Sequence, residues 1–334
     1  MSNPGKAHIT DIIQQIDANS WLIGDWILTR SSPPLPLDIT STSNPLGWLD
    51  EAENASYTFT YSSPPPPPAT TLDTPYIKPT YDCSGGRAFF SIGTKVVCKI
   101  RQLEHFDITV TSELDTLSYV CAKRPTSFTT PRIVHAFETA DRSFLFMTRV
   151  PGRTLAAAWR ELSEEKRQSY AEAVVCAIKE MMGWESSVVG GIDGKGIWEP
   201  YLQRSEEDTF DVIAIRTACE QLGMDMQAPF VFYHANLGPT NVLLLDGPGP
   251  TMTSSSTSPP QPAIGIIDFE IAGFFPKDWI ATKFSVSCGL NLEFEAEGEH
   301  EDPYWWRRTV GRRLYKSGLR EVGREYMKWQ NKRN

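Results

Sequence analysis

The chain has 334 residues, 40% of them hydrophobic and 22% charged, with a formal net charge of −9. That much apolar material exceeds one small domain and predicts two lobes or two domains, while the acidic balance lacks the basic stripe of a nucleic-acid binder. The short pairs Arg307-Arg308 and Arg312-Arg313 lie in a stretch of helical character and read as a solvated face.

Six cysteines (Cys83, Cys98, Cys121, Cys176, Cys219, Cys288) lie far apart without a C-x-x-C pair. That spacing fits neither a disulfide framework nor a zinc site, and it reads as free thiols in a reducing compartment. The N-terminus has no apolar signal core, and no run of about 18 apolar residues could span a bilayer. The expectation is a soluble, cytoplasmic protein with no membrane or nucleic-acid partner.

Ile9, Ile12, Ile13 and Ile16 recur at helical spacing, so residues 8–18 are predicted as an amphipathic helix. A polar Pro- and Ser-rich stretch follows and ends in Pro64 to Pro68, a run that favours polyproline II and reads as a solvated loop. Residues 1–84 are thus expected to form an N-terminal helix and extension. Arg87–Gly93 and Lys95–Ile100 predict two strands joined at Gly93-Thr94. A helix follows, with Ser112 as N-cap and Leu114, Leu117 and Val120 on one face. Ile133–Glu138 and Ser143–Val150 predict another strand pair. Residues 85–150 therefore read as a small lobe built on an antiparallel sheet with one helix.

After Pro151-Gly152 the pattern turns helical, beginning with Leu155, Trp159 and Leu162. Ser163 caps a longer helix with Tyr170, Val174, Ile178 and Met181 on its apolar face. Phe230–Tyr233, Val242–Leu245 and Ile264–Ile267 are apolar runs expected as buried strands. Residues 247–262, rich in Pro, Ser and Thr, read as a flexible hairpin insertion. Trp279 and Tyr304-Trp305-Trp306 open an aromatic-rich helical end, so residues 151–334 read as a mainly helical second lobe. The fold class is α+β.

Three pieces carry chemistry. Lys99 ends an apolar strand, where an ammonium needs an anionic partner, and Glu113 in the first turn of the next helix is a candidate. His234-Ala235-Asn236-Leu237-Gly238-Pro239-Thr240-Asn241 lies between two apolar strands, a rigid base from which polar side chains can face a ligand. Ile266-Ile267-Asp268-Phe269-Glu270 ends a buried strand in a carboxylate. Asn241 and Asp268 offer hard oxygen ligands of the kind Mg²⁺ accepts beside phosphates.

These segments together resemble the aminoglycoside phosphotransferase and choline kinase-like family, above all its fungal small-molecule members. The family's H-G-D-x-x-x-x-N loop is matched by His234, Asn236 and Asn241, and its I-I-D-[WF]-E strand end by Ile266 to Glu270. Met147 to Leu155 resembles the family's hinge, and Gly190 to Gly194 a loop common in its fungal members. The resemblance runs from about residue 85 to 285. It implies a protein-kinase-like two-lobed fold, ATP and Mg²⁺ as cofactors, and a small-molecule acceptor. In that reading Lys99 holds the α- and β-phosphates, Glu113 orients Lys99, and the backbone of the Met147–Arg149 hinge meets adenine. Asn241 and Asp268 hold magnesium, Asn236 faces the acceptor hydroxyl, and His234 packs the loop.

The chain departs from the family at Asn236, where the pattern has aspartate, and at Ala235, where it has glycine. An amide cannot take a proton at neutral pH, and a general base is typically worth about 10²–10⁴-fold. Phosphoryl transfer rests mainly on positioning and charge neutralisation, so the loss is partial. The sequence therefore predicts a weakened phosphotransferase acting on a small hydroxylated or amino metabolite. The alternatives are a pseudokinase that binds nucleotide without transfer, and a pocket reused for other chemistry in fungal secondary metabolism. Only Ser84-Gly85-Gly86-Arg87 stands where a glycine-rich loop would. The acidic run 293–302 would draw a cationic amine or serve as a solvated loop, and the pair Trp305-Trp306 would stack on a ligand or join the core.

Overall fold

The computed structural model describes residues 12–35, 46–83, 86–103, 107–203, 209–248, 262–293 and 302–331. Ser84-Gly85, most of the 247–262 insertion and most of the acidic run 293–302 lie outside them. The chain divides into two compact units, Met1–Glu104 with Arg132–Arg149, and His105–Pro131 with Val150–Asn334.

The first unit is all β, built from two antiparallel sheets. Strands β1 (Ile13–Asp17), β2 (Ser20–Ile23), β3 (Trp26–Ser31), β4 (Leu46–Asp50), β5 (Ala55–Tyr61) and β6 (Thr70–Thr71) form a six-stranded sheet in the order β4-β5-β3-β2-β1-β6. Strands β7 (Ile77–Cys83), β8 (Arg87–Ile92), β9 (Val96–Gln102), β10 (Ile133–Glu138) and β11 (Arg142–Thr148) form a second, ordered β10-β11-β9-β8-β7. The expected helix over residues 8–18 is not formed: its described part is strand β1, paired with β2 through Ile13↔Ile23 and Gln15↔Trp21. The isoleucine spacing fits a helix face, but β-branched residues suit a strand, and the turn in which the Asn19 amide donates to Asp17 returns the chain onto itself. The stretch read as a polar extension thus carries a full sheet. The Pro64–Pro68 run only links β5 to β6 and takes no regular secondary structure.

Alternation places one face of each sheet in a shared core. Trp21, Ile23, Leu28, Tyr57 and Phe59 from the first sheet pack with Phe90, Ile92, Cys98, Ile100, Phe144 and Phe146 from the second. Each such side chain contributes about 1.5–3 kcal/mol when fully buried. A polar latch joins the sheets: buried Asp50 at the end of β4 accepts from the Thr94 amide (2.6 Å) and hydroxyl (2.7 Å) in the β8–β9 turn. Gly93 in that turn has φ +55°, and a Cβ there would lie 2.5 Å from Asp50 Oδ2.

The second unit is mainly helical. It holds α1 (Glu113–Lys123), β12 (Arg153–Thr154), α2 (Leu155–Ala158), α3 (Glu164–Met182), β13 (Glu185–Ser186), α4 (Val212–Gln221), β14 (Phe230–Tyr233), β15 (Val242–Pro248), β16 (Pro262–Ile266), β17 (Gly273–Phe275), α5 (Lys277–Val286), α6 (Trp305–Lys316) and α7 (Gly323–Asn331). The short strands form two antiparallel three-stranded sheets, β12-β15-β16 and β13-β14-β17. Ser112 caps α1 by accepting from the Asp115 amide, and Ser163 caps α3 by accepting from the Lys166 amide, as the sequence predicts. Among the described residues no helix is long and apolar enough to cross a membrane. The fold is α+β, with antiparallel sheets in the N-terminal region and helices later.

Candidate active site

The loop from His234 to Asn241 leaves buried β14 and returns into buried β15. His234, Ala235 and Leu237 are fully buried, whereas Asn236 between them is partly exposed. Ala235 has φ +62°, the left-handed turn that glycine adopts freely and alanine only with strain. That turn raises Asn236 out from between buried Ala235 and Leu237.

Hydrogen bonds fix the loop from three sides. The Asn236 amide donates to His234 Nδ1 (3.2 Å), so the ring carries its proton on Nε2 and donates to the Ile267 carbonyl (2.9 Å). Asn241 Nδ2 donates to the Asn236 carbonyl (3.0 Å), which leaves Oδ1 as the end of that amide able to act as a ligand. The Trp306 indole donates to the Leu237 carbonyl (3.0 Å), and the Ala156 amide to the Pro239 carbonyl (2.9 Å). Trp306 is fully buried, so it belongs to the core and braces the loop from α6.

The second acidic segment is tied to this loop. The Ile267 amide donates to the Asn241 carbonyl (3.1 Å), and the buried Phe269 ring packs 4.6 Å from the His234 ring. Asp268 and Glu270 flank that anchor and are both partly exposed; Asp268 sits at φ +69°. Glu113, the first residue of α1, completes a group of three carboxylates whose ligand oxygens lie within 4.8 Å of one another.

Glu113 owes its place to the segment 190–196. The Thr111 amide donates to the Gly196 carbonyl (3.0 Å), the Gly196 amide to the Thr109 carbonyl (2.9 Å), and the Thr111 hydroxyl to Asp193. Gly190 pairs with Phe274, four residues beyond Glu270 (Phe274 amide to Gly190 carbonyl, 2.8 Å). One loop therefore registers the start of α1 against the strand that follows Glu270. A Cβ on Gly191 would fall 1.5 Å from Thr111 Oγ1, so only glycine allows that approach.

The three carboxylates are hard oxygen donors that match the chemistry of a divalent cation such as Mg²⁺, and the Asn241 main-chain carbonyl is bonded to Ile267, one residue from Asp268. The second unit thus holds Asn236 and Asn241 on one loop, bonds that loop to Ile267 beside Asp268, and sets Glu113 and Glu270 next to Asp268. Glu270 is a further member that sequence reasoning passed over, although its two-residue spacing from Asp268 across a buried aromatic was its signal. Of the two readings open for Trp306, stacking on a ligand or joining the core, burial selects the core. The sequence singles out the Gly190–Gly194 loop but not its Thr111–Asp193 clamp.

Lys99, Met147 and Arg149 lie in the first unit. Register places Lys99 between Phe89 on β8 and Leu145 on β11, with Met147 beside Val97 on the same face. That face is opposite the one packed on the six-stranded sheet. Lys99 is 5% exposed, with Nζ 5.5 Å from the Phe89 ring centroid, and Met147 is also buried. Arg149 is exposed; its amide donates to the Lys95 carbonyl (2.7 Å) and its guanidinium to the Ser91 hydroxyl.

No protein-family model matches the chain, and no curated protein matches it. Solved structures similar to it include the streptomycin–ATP ternary complex of APH(2")-IIa, at 14% identity and TM-score 0.44 over 77% of this chain and 80% of that one. They also include aminoglycoside phosphotransferase APH(3'')-Id from Streptomyces rimosus, at 14% identity and TM-score 0.46 over 76% and 91%. A GDP and kanamycin complex of APH(2")-IIia matches at 12% identity and TM-score 0.45 over 78% and 91%.

Proposed function

We propose that this chain is an ATP- and Mg²⁺-dependent phosphotransferase-like protein acting on a small hydroxylated or amino metabolite, with catalysis slowed by Asn236. The observation that carries the reading is the joint placement of Asn236 and Asn241 on one braced loop with Asp268 bonded to it through Ile267, and Glu113 and Glu270 beside Asp268. Each group has a role in that chemistry. Asn241 Oδ1 and Asp268 hold the metal, and Glu113 and Glu270 add carboxylate oxygen within reach. Bound magnesium supplies charge neutralisation on the phosphates. Glu113 is assigned to the acidic group.

Transfer breaks the bond from the γ-phosphorus to its bridging oxygen and forms one to the acceptor. Asn236 orients the acceptor by hydrogen bonding and cannot remove its proton, which leaves to water or to a phosphate oxygen. Catalysis then rests on positioning and charge, and runs slowly. A second reading, nucleotide binding without transfer, is favoured by the same residue.

Asn236→Asp separates the two. The loop is held at position 236 by main-chain N–H and C=O groups, so the change alters the side chain while keeping the brace. Steady-state ADP release with Mg²⁺-ATP is expected to rise about 10²-fold or more, toward the range of about 10²–10⁴ that a general base supplies. A variant that binds ATP but releases no more ADP than wild type refutes the slowed-enzyme reading and leaves the binding protein.

A further inference from the structure

We propose that the groove between α5 and α6 is a second ligand site, one that takes a small aromatic anion: a planar ring bearing a carboxylate or a phosphate. The groove has a volume of about 620 Å³ and lies wholly in the second unit. Its walls combine three guanidinium groups, Arg307, Arg308 and Arg312, with the phenol rings of Tyr304 and Tyr315. Ala281 and Phe284 of α5 give it an apolar floor.

Helical geometry makes this a face of its own. Residues 308, 311, 312 and 315 recur at spacings of three and four, so they form one stripe on α6, which Tyr304 extends from the position just before the helix. Trp306, two residues from both Tyr304 and Arg308, points about 200° away from each, toward the Leu237 carbonyl of the catalytic loop. The stripe therefore faces away from the Leu237 carbonyl, and none of Glu113, Asp268 or Glu270 lines the groove. Gly311 keeps α6 close against α5, since a Cβ there would meet Phe284 Cβ at 3.3 Å.

The charges in the groove are only partly neutralised. Arg307 donates to the carbonyls of Ser285 and Ser287, which are uncharged, and stacks 5.0 Å from the Tyr304 ring. Arg308 pairs with Asp302. Arg312 forms no ion pair among the described residues and is exposed. Glu321, the one lining carboxylate, is held at the rim by the Ser285 hydroxyl. Among the described residues, three cations against Glu321 and Asp302 leave local positive charge in the groove. Guanidinium forks grip a carboxylate or phosphate through paired N–H donors, and tyrosines 45% and 64% exposed offer ring faces and hydroxyls for a planar group. The basic pairs of the sequence thus read as more than a solvated face.

Calorimetric titration of the full chain with phenyl phosphate and benzoate tests the site, with benzyl alcohol and inorganic phosphate as controls. One-to-one saturation by at least one aromatic anion is expected at a concentration of about 10 mM or below. Arg312→Gln is expected to weaken it at least tenfold, and Tyr315→Ala severalfold. Both positions are exposed, so either variant suffices if the other fails to fold. Saturating Mg²⁺-ATP and Asp268→Ala should leave the affinity unchanged, which keeps this result separate from the fate of the proposed nucleotide site. Equal binding of benzyl alcohol, equal binding of inorganic phosphate, displacement by ATP, or indifference to both variants would each overturn the proposal.

Discussion

The ion pair of Glu199 and Lys283 holds α5 to the chain segment before α4, and its removal offers a sharp quantitative test. The side chains are 0% and 2% exposed, with Nζ 2.5 Å from Oε1. Glu199 also accepts from the Tyr201 amide (3.1 Å) and the Trp279 indole (3.3 Å), and Lys283 Nζ lies 4.2 Å from the Tyr201 ring. Burial pulls the Lys283 pKa down, and Glu199 beside it pushes back. Removing one partner strands the other charge in the core, so Glu199→Gln and Lys283→Met should each cost about 3–5 kcal/mol. The double variant removes both charges while keeping similar volume, and should lie within about 2 kcal/mol of wild type. The two single costs would then fail to add by several kcal/mol, far beyond the few tenths expected of independent sites. Urea unfolding of all four proteins at constant m-value measures this cycle. Single costs below about 1 kcal/mol, or additive costs, would refute the claim that the pair acts as one desolvated unit.

Three further outcomes follow from the described contacts. Gly191→Ala drives a Cβ to 1.5 Å from Thr111 Oγ1, so it should shift the start of α1, cost about 1–3 kcal/mol and weaken Mg²⁺-dependent nucleotide binding; unchanged binding would separate the 190–196 loop from Glu113. His135 sits among the rings of Trp26, Phe59 and Phe137, with Nε2 unpartnered, and burial lowers its pKa. The unfolded state then binds its proton first, so stability should be full above about pH 6.5 and fall as pH drops below it, and His135→Phe should flatten that slope in pH-dependent melts. Asp50→Ala leaves the Thr94 donors without their acceptor and should cost about 1–3 kcal/mol in urea unfolding, whereas a smaller loss would mean the two sheets hold without the latch.

Much of the site was legible because its residues come in short runs with fixed chemistry. His234, Asn236 and Asn241 share one loop, and Asp268 lies two residues beyond buried β16, so both lie where buried strands hand the chain to solvent. Caps at Ser112 and Ser163 were legible for the same reason, since one side chain satisfies amides two or three residues on. The first sheet was not. Its strands are short, interrupted by Pro and Ser, and stabilised by partners far along the chain, such as Thr94 for Asp50, that no local pattern reveals. In β1 the isoleucines matched a helical period, and pairing with β2 overrode it. Glu113 joins Asp268 and Glu270 through tertiary placement, which spacing along the chain does not encode.

The central claim, a magnesium-nucleotide site built on Asn241, Asp268 and Glu113, is tested most directly by melting the protein across an ATP titration with and without Mg²⁺. Stabilisation that requires both ATP and Mg²⁺, growing by about 2.7 kcal/mol at one hundred times Kd and lost in Asp268→Ala, is the result expected. No shift at millimolar ATP, or a shift that Asp268→Ala leaves intact, would contradict it.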